Sequence, residues 1–411
     1  MIVAQSRTFP ARNLSDELIA PPLASHARVD VCVVGAGLAG MIAAYLLARE
    51  RRRVMVIDEG PLGGVQGGFD CAHLASNVEK PYAAIEARYG PGGARMAAQS
   101  YAAAIDTLEA IAQREHIACE FERLDGYLLA APGDEDAIAR ELAAARRAGV
   151  DGVERLDEAP LPAAVRGPCV RYPGQAHFHP TRFIAGLARA IRRDGGRIHC
   201  GVRCESLEAG RPVTVTTRDG HRIEADTLVT SHPVRGGRLG ARRVPRMAHT
   251  IGVRVPRGSV PHALYWEISD PTRWAMLRSQ GPGAGEVLLV GGEDPPGDDD
   301  HTAFRYLALE EWARSRFPRA GEVVQRLTCQ VVQAHAVFAL ACRGACDSES
   351  VYVAAGDWGT AMTRGTIAAL VVRDFANGAD MSWTDLYLPA EACHVRADSR
   401  PADGAAAARA L

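Results

Sequence analysis

The stretch that decides the fold runs from Val29 to Gly60 of this 411-residue chain and opens with VDVCVVGAGLAG. An apolar run precedes the glycines, an alanine- and leucine-rich segment follows them to Arg49, and a second apolar run ends at Asp58. Continuous apolar runs are typical of strands that are buried on both faces of a parallel sheet. The stretch therefore predicts a strand, a glycine turn, a helix and a second strand that ends in acid.

The spacing of these glycines predicts a dinucleotide-binding site. Gly35 allows a tight turn, Gly37 lets the backbone approach a pyrophosphate, and Gly40 lets the helix pack close to the strand. Asp58 follows at the distance of about 20 residues at which a carboxylate accepts hydrogen bonds from ribose hydroxyls. Up to this point, NAD and FAD are both open. The residues predicted to bind the cofactor here are Gly35, Ala36, Gly37, Leu38, Ala39, Gly40, Asp58 and Glu59.

Two later glycine-rich segments favour FAD. One, residues 60–68, follows Asp58 directly, where a simple NAD dehydrogenase would begin its next helix. The other begins at Gly356, after the apolar run 351–355, and leads into a predicted helix that ends near Phe375. A glycine turn at a helix N-terminus can stabilise negative charge on a reduced flavin. The further residues predicted to bind FAD are Gly64, Gly67, Val202 beside the adenine, Gly356, Asp357, Gly359, Thr360 and Met362.

Composition and charge argue against several classes of partner. A formal net charge of −2 offers no overall field for nucleic acid or acidic lipid. The apolar run 31–48 contains three glycines, which disfavours a membrane helix. Residues 1–10 lack the apolar segment of a secretory signal, so we expect a cytoplasmic protein with ten reduced cysteines. The cysteines that stand four residues apart lack zinc-knuckle spacing, and no metal site is predicted.

The middle of the chain predicts a second domain. Helical spacing covers residues 77–89, 92–116 and 134–148, and a hairpin is expected over 121–130 with its turn at Asp125-Gly126. The sequence predicts irregular structure for residues 169–179 and a separate buried strand for residues 227–230. Four strands within 249–290 predict an antiparallel sheet that forms one wall of a substrate cavity.

Several stretches match a known family of proteins. They are residues 67–74, 97–130, 174–180, 290–293 and 356–366. Together with the glycine turn at Gly35, they make the chain resemble the FAD-dependent oxidoreductases of the D-amino-acid oxidase/glycine oxidase (DAO) type. Within that family it is most similar to a bacterial subgroup whose members often contain a C-terminal Rieske domain.

The resemblance implies the fold class and a division into domains. The fold is α/β: a glutathione-reductase-type Rossmann FAD-binding domain with a discontinuous α+β substrate domain built on an antiparallel sheet. The FAD-binding domain would comprise residues 28–88, 174–240 and 335–390. The substrate domain would comprise 89–173 and 241–334, with irregular tails at 1–27 and 391–411.

The chain departs from these relatives in three places. It contains no Cys-x-His partnered by Cys-x-x-His, so a Rieske cluster is not expected. The segment Val331–Phe338 replaces an Asp-Gly-x-Pro-type stretch, which predicts a rebuilt wall near the flavin. Lys80 is the only lysine, so a lysine that promotes reaction with oxygen is either missing or replaced by Arg or His.

The resemblance also implies a reaction. A C–H bond beside nitrogen in a small amine or amino-acid-like metabolite would give hydride to FAD, and oxygen or an external acceptor would take the electrons onward. Candidate catalytic residues are His73, His179, His335 and Arg364, each of which also suits a structural role. Arg364 could bind a substrate carboxylate through its guanidinium. A covalent flavin link at Cys71 or His73 and a homodimer both remain open.

Two other functions remain open from the sequence. The turn at Gly356-Asp357 also resembles flavin monooxygenases, although no second Gly-x-Gly-x-x-Gly site for NAD(P)H is present. The altered segment 333–338 alternatively suggests a flavin-binding protein without redox turnover. Dependence on NAD(P)H separates the first of these from an oxidase, and a redox-inactive FAD analogue separates the second.

Overall fold

The computed structural model describes residues 17–63, 73–76, 80–131, 133–161, 167–231, 243–267, 272–279, 285–293, 302–334, 341–343, 350–354, 361–379 and 382–387. The strands are β1 (Ala27–Val34), β2 (Val54–Ile57), β3 (His73–Leu74), β4 (Glu122–Leu129), β5 (Glu154–Leu156), β6 (Cys169–His177), β7 (Arg197–His199), β8 (Cys204–Glu208), β9 (Val213–Thr217), β10 (Arg222–Thr230), β11 (Arg243–Val255), β12 (Leu264–Glu267), β13 (Arg273–Ser279), β14 (Glu286–Glu293), β15 (Val323–Ala334), β16 (Ala341–Arg343) and β17 (Val351–Ala354). The helices are α1 (Leu38–Arg49), α2 (Tyr82–Arg114), α3 (Glu135–Ala148), α4 (Pro180–Arg193), α5 (Thr302–Arg316), α6 (Ala361–Ala376) and α7 (Thr384–Tyr387).

The first sheet has the order β16-β17-β10-β1-β2-β7, and the hairpin β8–β9 extends it through β10. The strands β17, β10, β1, β2 and β7 are parallel, with Val33 opposite Val56 on one side and Val229 on the other. In such sheets ligands bind beyond the carboxyl ends of the strands. The parallel sheet and its flanking helices confirm the predicted α/β fold class.

The second sheet has the order β15-β11-β14-β13-β12-β4-β6-β3, with β5 beside β6. Its neighbours are antiparallel except for β12 and β4, which run parallel. Helix α5 packs on one face through Leu309 and Trp312, and Phe317, which follows the helix, belongs to the same cluster. On the opposite face, Trp266 and Met276 belong to the same apolar core as helices α1, α2, α4 and α6. One continuous core therefore joins the two sheets.

Three local predictions were wrong. Residues 121–130 form no hairpin, because β4 runs straight through Asp125-Gly126 with a register shift there. Residues 169–177 are not irregular but form the long strand β6. Residues 227–230 are the end of β10, a single strand that pairs with β1 along one edge from Ile223 to Thr230 and with β9 and then β17 along the other edge.

Packing explains the misread turn. A Cβ atom at Gly126 would overlap the ring of Trp266 and approach Gln175 Cγ to 2.9 Å. Gly126 is needed because the side chain of Trp266 crosses over it. From the sequence alone, a glycine required for such packing cannot be distinguished from a glycine that forms a turn. The predicted helices 77–89 and 92–116 correspond to α2, which is interrupted at Gly90 (φ 71°) before Pro91.

One predicted segment of the chain contributes strands to both sheets. Segment 28–88, predicted to bind the cofactor, contributes β1 and β2 to the first sheet, yet its strand β3 pairs with β6 in the second. Strand β6 in turn crosses the predicted boundary at 173/174. The exact division into domains stays a prediction. Within the described ranges, no helix combines the length and apolar character needed to cross a membrane.

Candidate active site

The turn between β1 and α1 has the geometry of a phosphate-binding loop. Gly35 has a φ of 111°, which only glycine adopts readily. A Cβ at Gly40 would collide with the carbonyl oxygen of Gly35, so helix and strand can approach this closely only through glycine. A Cβ at Gly37 would meet nothing within 4 Å. The backbone at Gly37 therefore borders open space in front of the helix.

The N-terminus of α1 suits a phosphate group. Gly37 is its N-cap, no side chain caps the helix, and the first turn contains no acidic residue. The first N–H groups of a helix need acceptors, and the positive end of the dipole favours an anion. Ala36, Leu38 and Ala39 complete this turn, with Ala36 and Ala39 buried. The residues present thus fit the pyrophosphate of a dinucleotide.

Asp58 makes structural hydrogen bonds in addition to its predicted contact with the ribose. One carboxylate oxygen accepts the N–H of Ala36 (2.6 Å), and the other accepts the N–H of Gly60 (2.7 Å). The side chain thereby ties the glycine turn to the end of β2. Each oxygen keeps a further lone pair, so contact with a ribose remains compatible with this arrangement.

Val202 and Glu59 lie close to Asp58. The N–H of Val202 donates to the carbonyl of Asp58 (2.8 Å), and the Val202 side chain is buried. The Glu59 carboxylate lies 3.5 Å from the guanidinium of Arg203 at the surface. Their roles toward the adenosine half of FAD stay predictions.

The first turn of α6 meets the first turn of α1. A Cβ at Gly365 would contact the Cβ of Ala39 at 3.5 Å, so the two helices approach closely near their N-termini. Met362, Thr363 and Arg364 are all buried in this turn. Two positive helix ends therefore lie together beyond the carboxyl ends of β1 and β17. The candidate Arg364 belongs to this junction.

Helix α6 also contacts β3, where the candidate His73 lies. The buried His73 ring is 5.2 Å from the ring of Trp274 on β13. Three strands separate β3 from β13 in the sheet order, so this contact requires a strongly curled sheet. The concave face includes His73 and Trp274, and it meets the cofactor end of the molecule at α6.

The concave face continues along β13 with Met276 and Arg278. Together with Phe178, they help to line a cavity of about 360 Å³ beside His177. Trp274 packs over Gly291 of β14, where a Cβ would overlap the indole. Apolar walls with a few polar groups are typical of small-molecule sites.

His179 lies apart from His73, at the N-cap of α4. Its N–H donates to the carbonyl of Cys119 (2.7 Å). Burial lowers the pKa of its imidazole, and the positive charges of Arg278 and Arg182 lower that pKa further. Its environment therefore favours the neutral imidazole. The structure thus brings His73 and Arg364 to elements around α6, whereas His179 begins a different helix.

Other predicted residues lie outside the described part of the chain. They are His335, Gly64, Gly67, Gly356, Asp357, Gly359 and Thr360, as well as Cys71.

Sequence reasoning missed Trp274 and Arg278 as site residues. Both lie in a strand that was predicted, but nothing in a single strand indicates that the sheet curls back on itself. The unusual pairing of tryptophan on β13 with glycine on β14 was the available signal.

Comparisons with known proteins give a consistent result. The family model described as DAO, FAD dependent oxidoreductase, matches residues 30–374. The putative Rieske 2Fe-2S iron-sulfur protein YhfW of Bacillus subtilis is 24% identical over 304 residues, which cover 72% of this chain and 58% of that protein. Gamma-glutamylputrescine oxidoreductase of Escherichia coli is 26% identical over 218 residues, which cover 51% of this chain and 50% of that protein. The aligned parts thus span between half and three-fifths of these two relatives.

Solved structures agree on the fold. Glycine oxidase from Geobacillus kaustophilus superposes with a TM-score of 0.70 at 20% identity, covering 87% of this chain and 96% of that one. L-amino acid deaminase from Proteus myxofaciens gives a TM-score of 0.68 at 13% identity, covering 89% and 94%. At these identities the likeness concerns the fold alone.

Proposed function

The chain belongs to the DAO family of FAD-dependent oxidoreductases, and from that premise we propose that it oxidises a small amine or amino-acid-like metabolite. The family match confirms the predicted resemblance, the predicted FAD cofactor and the prediction of an FAD-dependent enzyme. Substrate, acceptor and the mode of electron transfer are the proposed part.

The observation that supports the proposal is the junction at α6. This helix touches α1 through Gly365 and Ala39, and it touches β3, whose His73 lies against Trp274. The phosphate-binding turn and the concave face of the second sheet therefore meet at one helix terminus. A substrate held on that face would lie next to the cofactor end of the molecule.

Each part of the chain has a proposed task. FAD, when bound, supplies the acceptor for two electrons from the substrate C–H bond. The α1 N-terminus and Asp58 hold its adenosine-diphosphate half. Trp274 and Met276 exclude water from the concave face, and Arg364 orients a substrate carboxylate. His73 lies against the indole of Trp274 on a strand that contacts α6, and there it would fix the position of the amine group.

The proposal is tested by mixing purified holoprotein anaerobically with a panel of amines and amino acids. We expect at least one donor to remove the visible absorption of the oxidised flavin. Failure of every donor, together with oxygen uptake that depends on NAD(P)H, would indicate a monooxygenase instead. Full function with a redox-inactive FAD analogue would indicate a protein without redox turnover. The cytoplasmic location and a homodimer stay predictions from the sequence.

A further inference from the structure

Three potential metal ligands converge at one end of the concave face. Glu122 is the first residue of β4, His177 is the last of β6, and His262 stands just before β12. One ligand atom from each lies within 4.8 Å of the other two. We propose that these three side chains bind a single divalent transition-metal ion of the zinc type. The ion would lie in the cavity at the end of the concave face, and its test does not depend on the oxidase chemistry proposed above.

The distances suit a tetrahedral ion. His262 Nδ1 lies 3.2 Å from Glu122 Oε1, and His177 Nε2 lies 3.4 Å from Glu122 Oε2. Ligand atoms bound to zinc at 2.0–2.1 Å are about 3.4 Å apart along a tetrahedral edge. The two imidazole rings stand 5.0 Å apart at 68°, so they meet edge to face rather than stacked. The two distances end on different oxygens of Glu122, so side chains must rotate before one atom from each residue can bind the same ion; those atoms start within 4.8 Å of one another.

His177 provides a second reason to expect a ligand. Its Nε2 is buried and lies 3.4 Å from Glu122 Oε2, a contact that falls short of good hydrogen-bond geometry. Buried polar atoms without a partner are rare in folded proteins. A metal ion between His177 Nε2 and the Glu122 carboxylate would replace this weak contact with two metal–ligand bonds.

The surroundings permit entry and leave one coordination position open. The side chains of Glu122 and His262 are 55% and 36% exposed, so an ion can reach them from solvent. All three ligands line the cavity of about 360 Å³ that also includes Arg278. Three protein ligands leave the fourth position to water or to an anion, and the charge of Arg278 favours an anion such as a carboxylate.

The donor set indicates which metal fits. Two imidazole nitrogens and one carboxylate suit zinc and neighbouring transition metals, whereas calcium and magnesium prefer oxygen ligands. The ion would join three parts of the curled sheet, because β4 and β6 are neighbours and His262 leads into β12. A ligand that binds only the folded state also stabilises it.

The test is a calorimetric titration of chelator-treated holoprotein with zinc chloride. We expect about one ion per chain in the wild type. His262→Ala and Glu122→Gln should each weaken binding at least about tenfold, because each removes one of three ligands. Both positions are exposed, and circular dichroism and FAD content should be unchanged. His221→Ala is the matched control, since it removes one ring of the surface pair His26–His221 and should leave zinc affinity unchanged.

X-ray absorption at the zinc edge locates the ion, because the ten cysteines could also bind it. The proposal predicts only nitrogen and oxygen neighbours at about 2.0–2.1 Å, whereas thiolate sulfur would appear at about 2.3 Å. A sulfur shell, an absence of zinc binding, or equal affinity in wild type, His262→Ala and Glu122→Gln would overturn it. None of these outcomes bears on the reduction of FAD by amines.

Discussion

The two sheets differ in how their functional residues are specified. In the first sheet, Gly35, Gly37 and Asp58 come from one short stretch, and parallel strand ends bring them together automatically. In the second, His73 and Trp274 are 201 positions apart and meet only because the sheet curls. The cofactor end is therefore a local property of the chain, whereas the substrate face depends on the tertiary fold.

This difference predicts which substitutions affect which property. Changes in the glycine turn should weaken or abolish cofactor binding, whereas changes in the second sheet should alter stability or substrate handling and leave FAD in place.

The largest effect is expected at Gly40. Gly40→Ala places a methyl group against the carbonyl oxygen of Gly35, so the turn must open. We expect loss of bound FAD and a drop of about 3 kcal/mol in the free energy of unfolding, at the upper end of overpacking costs. Flavin absorbance and thermal melting measure the two effects.

Gly37→Ala is the matched comparison for Gly40→Ala. Its methyl group would point into open space, so the apoprotein should lose less than about 1 kcal/mol. FAD affinity should nevertheless fall about tenfold, equivalent to about 1.4 kcal/mol, because the methyl group occupies the path of the pyrophosphate. Unchanged FAD affinity would show that the phosphates bind elsewhere.

In the second sheet, Gly126→Ala should reduce stability without loss of FAD. The new methyl group would overlap the ring of Trp266. We expect a cost of about 1–3 kcal/mol in chemical unfolding, with the normal ratio of flavin to protein absorbance. A variant as stable as the wild type would argue against the straight strand β4.

Trp274→Leu should affect the substrate rather than the cofactor. Loss of the indole removes one wall of the concave face and its contact with His73. We expect kcat/KM to fall about tenfold, or about 1.4 kcal/mol of transition-state stabilisation, at unchanged FAD content. Trp312→Phe is the control, because Trp312 packs on the opposite face of the same sheet and should change stability only. Equal kinetic losses in both variants would contradict the assignment of the concave face.

The smallest effect is expected at Asp30, on β1 of the first sheet. Its carboxylate accepts the backbone N–H of Arg53 (2.7 Å) and the Arg53 Nε–H (2.9 Å), and these bonds lower the pKa of Asp30. A lowered pKa contributes stability above the unfolded value of about 3.9, and this contribution is lost as the pH falls through the folded value. Asp30→Asn should therefore cost up to about 1 kcal/mol at pH 7 and progressively less below about pH 4. Urea unfolding across this range measures the difference, and a constant difference would refute the ionic origin.

The same contrast explains what could be predicted from the sequence. The strands around Gly35 and the helix over 134–148, which ends at Gly149, were both predicted, because each is specified by neighbouring residues. The prediction of a hairpin at Asp125-Gly126 was wrong. A glycine is required at position 126 because the ring of Trp266, which lies far away in the sequence, packs against it. The strand at 169–177 was missed, because Pro173 and Gly174 interrupt its apolar pattern at the register shift.

In the candidate site, too, the features specified by neighbouring residues were predicted, and those that depend on distant residues were not. The phosphate-binding turn was predicted from the spacing of its glycines, and Asp58 was predicted to bind the cofactor. The hydrogen bond from the Ala36 N–H to the Asp58 carboxylate was not predicted. The contacts of His73 with Trp274, and of His177 with His262 and Glu122, join strands that no local pattern connects.

The most direct test of a single site at α6 is a crystal structure of the holoprotein with an unreactive amino-acid analogue. We predict the pyrophosphate beside Gly37, the flavin ring against the first turn of α6, and the analogue between that ring and Trp274. An analogue bound away from the concave face, or a pyrophosphate away from Gly37, would contradict the account.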